Sequence, residues 1–147
     1  MAESIFEALR DDHETQRTLT DLLVQTHGDS EGRDELFNKL KTELQRHAAA
    51  EERCFYKPLI DYDLTQAKAR HSIAEHHEID ELIEALEGTD PSSPAWKANA
   101  EKLRHLVQHH LDEEENEVFQ QAGRVLSEEL KTSLASEYRE QMNALDE

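Results

Sequence analysis

Apolar residues recur along this chain at steps of three and four, in long runs that Gly and Pro interrupt only at the edges. That spacing lines one face of an α-helix, whereas a half-buried strand would alternate. The pattern predicts four long helices and a shorter fifth. Helix 1 opens at Ser4, where Ser-Ile-Phe-Glu forms a capping box with Glu7, and runs to about Thr26 before the break His-Gly-Asp-Ser-Glu-Gly. Helix 2 starts near Gly32 and ends by Tyr56 or Lys57, because Pro58 disfavours helix in the residue before it. Helix 3 runs from about Leu64 to Glu87 and stops at Gly88. Ser93 caps helix 4, with Pro94 in its first turn, and the helix continues to about Ala122. The fifth spans roughly 128–144, behind Ser127. Short connections make consecutive helices antiparallel. The expected fold is all-α: an antiparallel up-down-up-down four-helix bundle over about 4–123, with an additional short C-terminal helix over about 127–145. At 147 residues the chain is expected to be a single domain, with the last helix packed outside the bundle or frayed.

The apolar stripe of each long helix is broken in the middle by polar residues. Helix 1 reads Phe6, Leu9, His13, Gln16, then Leu19 or Thr20, then Leu23. Helix 2 reads Leu36, Leu40, Leu44, His47, Glu51, Phe55, and helix 4 reads Leu103, Val107, His110, Glu114, Val118. Helix 3 gives Ile73, His76, then Ile79 or Asp80, then Ile83 and Leu86. The remaining histidines, His27, His71, His77, His105 and His109, fall off the stripe or in a loop and are expected in solvent. With a rise of about 1.5 Å per residue and antiparallel neighbours, His13, His47, Glu51, His76, His110 and Glu114 reach one level of the bundle.

Two carboxylates and four imidazoles buried without partners would cost many kcal/mol, so something must compensate them. A metal does so economically. His-x-x-x-Glu aims a nitrogen and an oxygen from successive turns at one volume, and it occurs twice, at His47/Glu51 and His110/Glu114, both times preceded by Gln-x and ending in Glu-Glu. Four nitrogens and two carboxylates suit two ions better than one, and such donors suit iron, manganese or zinc.

Composition narrows the partners. With 34 acidic and 16 basic side chains the net charge is −18, which argues against nucleic acid and against anionic membranes. No apolar run approaches the roughly 20 residues of a membrane helix. The single cysteine, Cys54, excludes an intrachain disulfide and, with no signal-peptide pattern, points to the cytoplasm. Cys54 itself reads as a small packing residue, and Trp96 as a cap on the bundle end.

Four motifs in order resemble the haemerythrin-like, or HHE cation-binding, family: "DDHETQRTL", "HAAAEERCFYKPL", "AEHHEIDELI" and "HLDEEENEVF". The resemblance covers about residues 5–122 and selects His76 over His77 on helix 3. It implies a non-haem di-iron site in a four-helix bundle, bridged by Glu51, Glu114 and a water, hydroxide or oxo group. Oxygen-carrying members have a second His on the third helix and an Asp closing the fourth motif. Here Ser72 and Asp80 flank His76 at four residues, and the fourth-helix acid is Glu114, as in the bacterial subgroup. Asp80 is a candidate further ligand.

The resemblance implies a small diatomic or peroxide ligand. It leaves open a binding or sensing module for O2 or NO and an enzyme acting on peroxide or O2, with iron storage a weaker reading. Tyr56 and Tyr62 are candidate nearby phenols, and their bland role is packing.

Overall fold

The structure is a computed structural model that describes residues 2–28 and 30–145. Asp29, in the predicted first break, lies outside the described residues. Helix α1 (Ile5–Val24) starts on the expected capping box: Ser4 Oγ accepts from the Glu7 N–H while Glu7 reaches back to the Ser4 N–H. Gly28, with φ of 58°, then turns the chain where a side chain would be strained. Helix α2 (Glu31–Glu51) is capped by Ser30, slightly earlier than the Gly32 of the sequence reading. Helix α4 (Asp63–Glu87) follows the short α3 (Lys57–Ile60), and α5 (Pro94–Glu113) begins on the Ser93 cap. Helices α6 (Phe119–Val125) and α7 (Glu128–Leu145) complete the chain.

Two corrections concern the middle of the rods. Pro58 does not end helix 2. A π turn over Glu52–Tyr56 lets the Lys57 N–H bond back to the Glu52 carbonyl, and the rod continues through Pro58 to Ile60. The wider turn changes the hydrogen-bond register just where Pro58, which has no N–H, enters the helix. A second π turn, Glu114–Val118, joins α5 to α6, with the Phe119 N–H bonded to the Glu114 carbonyl. Each π turn lies at one of the two His-x-x-x-Glu motifs, and each carries the rod past its predicted end.

The rods form the expected antiparallel bundle, with α1 against α2 and α5, and α4 against α5. Helix α7 takes the packed one of the two expected arrangements, outside the four rods and not frayed. It packs on α1 and α2 and buries Leu134, Ala135, Tyr138 and Met142.

The apolar core comes in two parts. One gathers Leu9, Phe55, Tyr56, Phe119 and Tyr138 at the α7 end; the other gathers Leu23, Leu40, Ile83, Trp96 and Leu103 at the far end. Trp96 closes that far end as expected, buried beneath the Arg33 guanidinium at 4.3 Å from its ring centre. Between the two parts lies a buried polar belt. No helix among the described residues is long and apolar enough to cross a membrane.

A candidate metal centre

The belt holds the six residues singled out in the sequence. His13, His47, Glu51, His76, His110 and Glu114 are all buried, none more than 5% exposed. His27, His71, His77, His105 and His109 are exposed, as expected. Each helix supplies its ligand candidates from the interrupted stripe, because a side chain four residues on occupies the same face one turn higher.

Every imidazole points Nε2 inward. His13 Nε2 lies 3.0 Å from Glu114 Oε1, and His110 Nε2 lies 3.8 Å from Glu114 Oε2. His47 and His76 place Nε2 at 3.5 and 3.2 Å from the same oxygen, Glu51 Oε1. The carboxylates thus sit between two imidazole pairs, His13 with His47 and His76 with His110, whose rings are 5.4 and 4.9 Å apart. Ligand atoms converge in two groups, one of His13, His47, Glu51 and Glu114 and the other of Glu51, His76 and His110, with Glu51 common to both.

The outer nitrogens are already engaged. His13 Nδ1 is 2.6 Å from Glu115, His76 Nδ1 is 2.9 Å from Glu52, and His110 Nδ1 is 2.8 Å from Glu75. His47 Nδ1 is 2.5 Å from the Tyr138 hydroxyl, which in turn donates to Asp12. An imidazole that donates Nδ1–H outward keeps its Nε2 lone pair for the interior, which is how metal-binding histidines are usually held.

The interior atoms fit a cation. Nε2 of His13, His47 and His110 and both oxygens of Glu51 and Glu114 are buried without a hydrogen bond among the described residues. Buried polar atoms are seldom left so, and these all face one volume.

Their proton affinities are correspondingly disturbed. Burial pushes the Glu114 carboxyl well up, helped by Glu51 beside it. Burial alone would lower His47, but Glu51 and Asp12 overcome it and raise the imidazole to about 10. Burial lowers His13, favouring the neutral form a ligand needs. Burial would raise Glu115, yet the hydrogen bonds from His13 and Arg17 bring it down to about 2.

The sequence reading missed the outer partners. Glu52 and Glu115 are the second residues of the two Glu-Glu pairs, and Asp12 and Glu75 each precede a stripe histidine, so the repeat contained a signal for them. Tyr138 carried none, because nothing local told which face of α7 would meet α2. Of the two candidate phenols, Tyr56 is fully buried with its ring 5.7 Å from His76, while Tyr62 is exposed. Asp80 is not among the converging groups; it is half-buried and lines a narrow cavity with Gln16, His47, His76 and His110.

A sequence model of the Hemerythrin HHE cation binding domain matches residues 4–122. The chain belongs to this family. As an HHE-domain chain it is a metal-binding protein, and the belt holds its candidate His and Glu ligands. Its fold superposes on the crystal structure of an HHE cation-binding domain-containing protein from Mycobacterium kansasii with a TM-score of 0.87 at 22% identity, covering 97% of this chain and 87% of that one. Among curated proteins it is 27% identical over 136 residues to a DNA nickase from Nostoc sp.. That match takes in 92% of this HHE chain but only 38% of the relative's length.

Tyr138→Phe should keep the fold and weaken metal retention by about 10–100-fold, the usual cost of losing an outer hydrogen bond to a ligand. Chelator competition measures it, and retention equal to the parent protein would show that the His47 contact does not matter.

Proposed function

We propose that this protein holds a non-haem di-iron centre and uses it to bind a small redox ligand such as O2, NO or peroxide. The observation that carries the reading is the gathering of two imidazole couples around the carboxylates of Glu51 and Glu114, with Glu51 common to both ligand groups and each imidazole oriented from outside. His13 and His47 would hold one ion and His76 and His110 the other, with Glu51 and Glu114 between them. Iron there would supply an open coordination position and a change of oxidation state. The protein's own residues set the rest. Asp12, Glu52, Glu75, Glu115 and Tyr138 fix the imidazoles, and the two apolar core parts keep bulk water out.

The cavities beside the belt support a small ligand. An outer groove lined by Gln45, Glu52 and Lys57 and the narrow inner cavity share two lining residues, Ala48 and Asp80. So confined an inner cavity favours a ligand of a few atoms. Ala48→Leu should therefore slow ligand association about tenfold or more while metal content stays the same. Stopped-flow mixing reads this, and an unchanged rate would place the entrance elsewhere.

The DNA-directed activity in the Nostoc relative's name is not extended to this chain. A net charge of −18 repels a phosphate backbone. The deciding experiment for the di-iron reading is elemental analysis with optical spectra of anaerobic and aerated protein. About two irons per chain and a spectrum that changes on aeration are expected. Iron-rich growth that yields protein without iron would sink the reading.

A further inference from the structure

The buried motif has a counterpart nearer the surface. On the α4/α5 face, His71 and Glu75 stand four residues apart on one helix, and His109 and Glu113 stand four apart on its neighbour. We propose that His71, Glu75 and Glu113 form an outer site for a divalent first-row transition cation, next to the buried centre and sharing Glu75 with its surroundings.

Their ligand atoms all lie within 4.8 Å of one another. His71 Nε2 is 3.2 Å from Glu113 Oε1 and 3.6 Å from Glu75 Oε2. The second Glu113 oxygen is 3.2 Å from His109 Nε2, which orients the carboxylate and offers one more nitrogen. Mixed imidazole and carboxylate donors favour zinc, iron or manganese over calcium or magnesium.

Glu75 anchors the cluster to the bundle. It is only 6% exposed. Its Oε1 accepts from His110 Nδ1 at 2.8 Å, while Oε2 makes no hydrogen bond among the described residues and faces His71. Its Oε2 is thereby left on the His71 side of the carboxylate, where a cation held by His71 would meet it. His71 and Glu113 have side chains 57% and 23% exposed, so an ion reaches the site from solvent without opening the bundle. Through Glu75 the outer ion would also touch His110; that link, unlike the binding itself, rests on the proposed function.

The test titrates iron-loaded protein with Zn2+ by calorimetry and locates zinc by its anomalous scattering in crystals. One further zinc per chain is expected, its affinity reduced about tenfold or more in His71→Ala and in His71→Ala/His109→Ala. Iron content of the same samples reports the buried centre separately. The difference of one zinc between parent and His71→Ala isolates the outer site even in protein that carries no iron. The proposal is overturned by parent protein that takes no further zinc, or by His71→Ala that takes it undiminished. It is equally overturned if His105→Ala removes the ion and His71→Ala does not, since His105 stacks on His109 at 6.4 Å and could act alone.

Discussion

Replacing Glu51 with alanine should empty the whole centre. Glu51 Oε1 is within 3.5 Å of His47 and 3.2 Å of His76, and it is the one residue common to both ligand groups. In the proposed two-ion centre its loss would remove an anionic donor from each ion and leave His47 buried without its neighbouring carboxylate. His76→Ala is different. It belongs to the second group alone, so the His13/His47 side should keep its ion. Elemental analysis after anaerobic iron loading should fall from about two ions per chain to almost none for Glu51→Ala, and to about one for His76→Ala. Glu51→Gln preserves the volume and separates lost charge from a lost fold. Two retained ions in Glu51→Ala would remove Glu51 from the shared position.

How much of this was readable from sequence depends on the range of the interaction involved. Helix starts at Ser4 and Ser93 were readable because a cap is closed within four residues. The six inward residues were readable because helical periodicity carries a face along a whole rod, and His-x-x-x-Glu interrupts that face twice. The π turns were not readable. Pro58 argued locally for a stop, and only packing of Phe55, Tyr56 and Leu59 into the core holds the rod together past it. The outer partners fall between. The chain repeats an acid before each stripe histidine of α1 and α4 and a second Glu after each motif, so Asp12, Glu75, Glu52 and Glu115 form two matched sets. Glu75 reaches His110 directly, whereas the shorter Asp12 stays 3.8 Å from His47 and Tyr138 fills the gap. That difference of one methylene explains why α7, unremarkable in sequence, completes only one half of the centre.

Metal loading should stabilise the fold and release protons, and Glu114→Gln should reverse the first effect. Without metal, burial and Glu51 hold the Glu114 carboxyl up, and Glu51 and Asp12 outweigh burial to hold His47 near 10, so His47 carries a proton at neutral pH and Glu114 keeps its proton more readily than a free carboxyl. Ligands must give up those protons, so loading acidifies the medium and affinity rises with pH. Acid works in the opposite sense and expels the ions. At a thousandfold excess over Kd one bound ion adds about 4 kcal/mol, roughly 10 °C in Tm for a chain of this size. Glutamine at position 114 replaces a carboxyl whose charged form burial and Glu51 disfavour, so the metal-free variant should melt at or above the parent. Loaded, it lacks one anionic donor and should melt well below the loaded parent. Calorimetry in buffers of differing ionisation enthalpy counts the protons, and melting curves with and without iron give the two orders. If loading released no protons, or if the variant ranked the same way in both states, Glu114 would be a packing residue of the core and not a donor to a cation.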